Sequence, residues 1–111
     1  MAVPVGLACV PLMGGLYWIQ RPHEIVYRAS SERCGSYSVR YATHEGEEGP
    51  LEASGTWATP VVPLVHGDVA SLVATSGRGC ALVRCEIEED GQIVARSEGT
   101  AAALCSAWTA R

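Results

Sequence analysis

The stretch Ala81–Ser97 constrains this chain most, because it is a β-hairpin written out residue by residue. Ala81, Val83, Cys85 and Ile87 fall on one face, and Leu82, Arg84, Glu86 and Glu88 on the other. That is the period-2 signature of a strand buried on one side. Asp90–Gly91 then supplies a pair that tolerates positive φ in a tight two-residue turn. Downstream, Ala101, Ala103, Cys105 and Ala107 alternate in the same way, so Cys105 shares a face with small apolar residues. Two cysteines on the apolar faces of two strands are natural partners, and Cys85–Cys105 is the structural disulfide expected.

The chain has five cysteines, an odd number that leaves one over. Cys9, inside an apolar run, is the odd one; Cys34, Cys80, Cys85 and Cys105 formally allow three connectivities. A zinc site would need C-x-x-C or H-x-x-x-H spacing, and neither pattern occurs. Cys80 and Cys85 stand five apart, which on a strand points them to opposite faces. Disulfides, and with them an oxidising compartment, are therefore expected in place of a metal or other cofactor. The net charge is −4 and every basic residue is arginine, with no lysine. A chain without a basic face is a poor match for nucleic acid, so that partner class is excluded.

Ala2 to Ile19 carries no charge. As a helix it would extend ~27 Å, close to the thickness of a bilayer's hydrocarbon core. Tyr17 and Trp18 stand at its end, where an interfacial aromatic belt belongs. Pro4 and Pro11 and the lack of a basic flank argue the other way, for a buried strand or helix of a soluble protein. The expectation is a membrane anchor over residues 1–20, a linker over 21–24 and a domain over 25–111.

That domain reads as β throughout. Ile25, Tyr27 and Ala29 alternate with Val26 and Arg28; Tyr37, Val39 and Tyr41 alternate with Ser38, Arg40 and Ala42. His44 to Pro50 (HEGEEGP) reads as a solvated hairpin loop. Pro60 and Pro63 confine Leu51 to Val65 to an edge or crossover, since proline cannot donate to a central ladder. Trp57, Tyr27 and Tyr41 are the expected core aromatics, with Trp57 plugging the core. Val69 to Thr75 is a further strand. Seven or eight short strands without an amphipathic helix predict an all-β fold, an immunoglobulin-like antiparallel β-sandwich.

From Ile25 to Cys105 the chain resembles the extracytoplasmic domain of the MmpS family of small actinobacterial membrane proteins. The resemblance rests on Val26–Tyr27, Val39–Arg40–Tyr41, Trp57, the small apolar strand Val69 to Ala74, Cys85–Glu86–Ile87 with Asp90–Gly91, and the closing Cys105. A preceding membrane helix agrees with the family layout. Thr56 stands before Trp57 where family members often carry proline, and Cys34 and Cys80 look like additions that would form a second disulfide if they pair. The resemblance implies a single-pass cell-membrane protein with its C-terminal domain extracytoplasmic, not an enzyme. It implies an accessory role to an RND-type, MmpL-like exporter of lipids or siderophores. The competing reading is a secreted or surface β-sandwich binding module with no transporter partner.

Catalytic signals are weak. His23, His44 and His66 fall in the expected linker or in turns, and neither G-x-S-x-G nor H-E-x-x-H is present. Glu86, Glu88, Glu89 and Asp90 read as a solvated cluster protecting a sheet edge, with a partner-binding patch as the sharper alternative.

Overall fold

The computed structural model describes residues 22–33, 35–77 and 80–109. Nine strands are found among them: β1 His23–Glu32, β2 Tyr37–Thr43, β3 Gly46–Ala53, β4 Thr56–Ala58, β5 Val62–Leu64, β6 Val69–Ser76, β7 Leu82–Glu89, β8 Gln92–Gly99 and β9 Ala102–Trp108. They form two antiparallel sheets. One runs β4-β1-β7-β8, with β5 following β4 along the same side of β1; the other runs β3-β2-β6-β9. The antiparallel sandwich expected from the strand spacing is present, with nine strands in place of seven or eight.

The Ala81–Ser97 hairpin forms as read. Asp90 and Gly91 take φ of 51° and 88°, the two positive values a type I′ turn requires. Val83, Cys85 and Ile87 are buried on the inner face of β7, and Ile25, Tyr27 and Ala29 do the same on β1. The facing sheet contributes Tyr37, Val39, Leu72, Ala74, Ala103 and Cys105. Complete burial of a side chain such as Ile87 or Leu72 contributes about 1.5–3 kcal/mol, so this two-faced layer is the main source of stability. The Cys85–Cys105 disulfide crosses it, joining β7 in one sheet to β9 in the other.

Three expectations are corrected. The linker over 21–24 is too long: His23 and Glu24 already belong to β1, because Glu24 exchanges bonds with the β7–β8 turn (Asp90 N–H to Glu24 O and Glu24 N–H to Asp90 Oδ1, both 2.9 Å). HEGEEGP is not a loop. Only His44 and Glu45 turn, and Gly46 to Pro50 begin β3, an exposed edge strand with room for glycine, proline and glutamate. Gly49 sits there at φ +109°, in the bulge of β3 opposite Val39/Tyr41, where a methyl group would stand 2.6 Å from the Val39 carbonyl oxygen.

Trp57 does not plug the core. It lies on three-residue β4 at the sheet margin and is half-buried, its ring 5.7 Å from that of Tyr41, which is itself 5.2 Å from Tyr27. From that margin it packs against the core cluster without being enclosed by it. Tyr41 is half-buried too, and the deep aromatic positions belong to Tyr27 and Tyr37. Their hydroxyls donate to the carbonyls of Ala42 and Gly55, each at 2.8 Å. Burial pushes the Tyr27 hydroxyl pKa up to about 12, and raises that of Tyr37 as well.

A twenty-residue separation between the bridged cysteines puts the loop-closure contribution of the disulfide at about 3 kcal/mol. Substituting both, C85A with C105A, is expected to lower the unfolding free energy by about that amount in a denaturant titration. Dithiothreitol should bring the native protein to the same midpoint, and an unmoved midpoint would show that the bridge leaves the unfolded chain unconstrained.

Candidate functional site

The outer face of the first sheet is an ordered ion-pair ladder. Register places Arg28, Glu86 and Arg96 side by side across β1, β7 and β8, with Ser30, Arg84 and Glu98 in the row two residues on. Arg28 Nη1 lies 2.6 Å from Glu88 and 3.8 Å from Glu86; Arg96 Nη2 lies 3.1 Å from Glu86. Arg84 reaches Glu32 at 2.6 Å and Glu98 at 3.7 Å, and the Glu32 hydrogen bond holds its guanidinium pKa above the usual value. The carboxylates of β7 therefore do not protect an edge, because β7 lies between β1 and β8. They compensate arginines on both neighbours. Each such exposed pair is worth about 0–1 kcal/mol, so the ladder fixes register and neutralises the face more than it stabilises the fold. A shallow depression of 240 Å³ on this face, lined by Arg28, Ser30, Thr56, Arg84, Glu86 and Arg96, thus has its cations already paired.

The outer face of the second sheet differs. Along β6 and β9 the register sets Val69 opposite Trp108, Ser71 opposite Ser106, Val73 opposite Leu104 and Thr75 opposite Ala102. Val69, Leu104 and Trp108 are 41%, 66% and 68% exposed, forming an apolar stripe broken only by serines. Among the described residues β9 is also an outermost strand, seven residues long, with no charge, no proline and no bulge. The other margins each carry a protecting device. β8 has Arg96, Glu98 and a bulge opposite Ile87/Glu88; β3 has Glu47, Glu48, Pro50 and Glu52; β4 and β5 have three residues each.

The ladder's phase exposes this edge further. Ser76 N–H bonds Ala101 O at 2.9 Å, and Thr109 N–H bonds Asp68 O at 3.1 Å. In an antiparallel pair, alternate residues then turn their backbone groups to the partner. The N–H and C=O of Ala102, Leu104, Ser106 and Trp108 accordingly face away from β6. The exposed Leu104 and Trp108 side chains and the outward-facing backbone groups belong to the same residues.

The end of β9 is latched by residues the sequence did not single out. Thr109 is fully buried, its Oγ1 2.7 Å from Val65 O and 2.5 Å from Asp68 O. Asp68 Oδ2 accepts the Val65 N–H and meets His44 Nδ1, both at 2.9 Å. These two bonds hold the Asp68 carboxyl below its ordinary pKa. The only signal in the sequence was His66–Gly67–Asp68 as a turn; its partners, His44 in the β2–β3 turn and Thr109 just after β9, are distant along the chain. His23, expected in a linker, starts β1 and places Nδ1 2.7 Å from Glu89 Oε2. His66 is in the β5–β6 turn.

Of the expected disulfides, Cys85–Cys105 is formed; Cys34, and with it the pairing of Cys34 with Cys80, lies outside the described residues. Cys80 Sγ accepts the Gly77 N–H at 3.2 Å. The expected anchor over residues 1–20 also lies outside them; among the described residues no helix is long and apolar enough to cross a membrane.

No protein-family model and no curated protein matches this chain. Among solved structures it is similar to a lipoxygenase, the delta413-417:GS LOX variant crystallised anaerobically in complex with arachidonate. Identity is 11% over 75% of this chain and 16% of that one, at a TM-score of 0.38, a likeness too loose to carry a functional argument.

The lowered Asp68 pKa fixes the sign of one pH effect. Its contribution to stability is present above the unfolded-state value near 3.8 and is lost as pH falls through the lower folded-state value. Between about pH 5 and pH 2, Asp68→Asn should therefore flatten the fall in denaturation midpoint relative to the native chain. Parallel acid limbs would mean that Asp68 gives no net pH-linked support to the latch.

Proposed function

We propose that this chain is a membrane-anchored extracytoplasmic accessory protein that assists an RND-type, MmpL-like exporter of lipids or siderophores, and that it docks through the β9 margin. The observation that carries the docking surface is the coincidence on β9 of exposed Leu104 and Trp108 with outward-facing backbone groups on an edge lacking any protecting device. An extended segment of a partner can add to such an edge as a further strand, the main chain giving affinity and the alternate side chains specificity. Exposed apolar patches mark interaction sites, and aromatic side chains such as Trp108 are frequent interface anchors.

The partner class rests on the MmpS resemblance from Ile25 to Cys105, and the anchor on the uncharged run Ala2 to Ile19. The buried disulfide suits an oxidising, extracytoplasmic setting. A paired outer face on one sheet and an uncharged β6–β9 half of the other favour binding over catalysis. The same edge supports a second reading, a secreted or surface binding module that captures an extended peptide without any exporter.

The test is in-cell crosslinking of the tagged chain in its native host, followed by identification of partners in the membrane fraction. The expected result is an RND-type exporter crosslinked to the native chain and reduced at least tenfold by L104R or W108R. Both variants should keep the native circular dichroism and the Cys85–Cys105 bridge. Recovery only in soluble fractions, without an exporter, would overturn the accessory role; undiminished crosslinking of both variants would remove β9 from the interface.

A further inference from the structure

On the first sheet, His23, Glu89 and Asp90 bring one imidazole nitrogen and two carboxylate oxygens within 4.8 Å of one another. We propose that this trio is a binding site for a divalent cation of the zinc type. His23 begins β1; Glu89 ends β7 and Asp90 opens the turn into β8. His23 Nδ1 stands 2.7 Å from Glu89 Oε2 and 3.5 Å from Asp90 Oδ2.

The donors are held before any ion arrives. Asp90 is fixed by the turn at φ 51°, its N–H donates to Glu24 O, and its Oδ1 accepts the Glu24 N–H. One carboxylate oxygen is thus engaged by the backbone, leaving Oδ2 turned to His23. This is the outer support that orients a metal ligand. The side chains of His23 and Glu89 are 12% and 16% exposed, whereas that of Asp90 is 55% exposed. Two donors are therefore shielded, and the third side is open for an ion to enter and for water to complete its shell.

The chemistry selects the ion. Two carboxylates and a neutral imidazole balance a double positive charge. A nitrogen donor among oxygens suits zinc and its transition-metal neighbours, whereas calcium and magnesium take all-oxygen shells. Ligand bonds of about 2.0–2.2 Å in a tetrahedron put donor atoms about 3.4 Å apart. The His23–Asp90 separation already matches. The His23–Glu89 pair must open by less than about 1 Å, as the ion takes the place of the proton shared between them. Binding would fasten the start of β1, where the chain comes off Arg21–Pro22, to the β7–β8 turn.

The test is isothermal titration of the metal-free full chain with zinc chloride alone, with calcium chloride as comparison. The expected result is saturable uptake of one zinc per chain and no calcium uptake. H23A and E89Q should each weaken zinc at least tenfold. D90N should do the same while leaving the turn intact, since asparagine tolerates positive φ and retains the oxygen that accepts the Glu24 N–H. A zinc-dependent rise in melting temperature, absent in D90N, is the second reading of the same site. No saturable zinc uptake by the native chain would overturn the assignment, as would unchanged affinity in all three variants. Neither result bears on β9 docking, which lies on the other sheet.

Discussion

The Cys85–Cys105 bridge is the interaction on which this small sandwich most depends, because it covalently ties two sheets that otherwise meet through an apolar layer and a few polar contacts at its rim such as Tyr27–Ala42. Cys85 lies on β7, an interior strand, and Cys105 on β9, an outermost one. Much of the facing sheet's inner layer along β6 and β9 is alanine (Ala70, Ala74, Ala103), which brings the sheets close and offers little area to bury. A covalent tie compensates for that thin filling. The crossing from β8 to β9 runs through Thr100 and Ala101 beside Gly99, where an added methyl would collide with the Ala102 carbonyl oxygen. Bridge and corner together bring β9 to its place, so the open edge follows from the same device that holds the core.

Polar groups taken into that layer are satisfied one by one. Tyr27 and Tyr37 carry the bulk of two large residues but aim their hydroxyls at carbonyls near the rim. Thr59 bridges the gap between β4 and β5. Its N–H bonds Tyr27 O at 3.0 Å and its Oγ1 accepts the Tyr27 N–H at 3.1 Å, so a side chain supplies the rung just before Pro60, whose nitrogen has no hydrogen. Thr109 serves the same end at the close of β9. Among the described residues no buried side-chain nitrogen or oxygen lacks a partner. A core that leaves nothing unsatisfied directs attention to the surfaces.

Those surfaces divide by charge. On the first sheet three arginines and four glutamates compensate one another, and the face offers a partner little beyond exchange of one ion pair for another. On the second sheet, β6 and β9 present uncharged side chains, and β9 adds outward-facing backbone groups that no strand among the described residues pairs. An interface formed there would bury apolar area and complete hydrogen bonds at once, with no charge to desolvate. This asymmetry favours reading the domain as an interaction module.

The sequence by itself determined which residues face inward along each long strand, the Asp90–Gly91 turn and the identity of the bridged cysteines. All three are local: alternation has a period of two, a type I′ turn needs two consecutive residues at positive φ, and cysteines in apolar phase point into the core. Only the tertiary structure decided which strand neighbours which. That choice moved Glu86 and Glu88 from a supposed edge to the middle of a sheet, put Trp57 at the margin, and made Gly46 to Pro50 part of a strand. It also gathered His23 with Glu89 and Asp90, and left β9 outermost. Strand neighbours are set by pairing between residues far apart along the chain, and period-2 patterning carries no record of the partner, because every half-buried strand alternates in the same way whatever lies beside it.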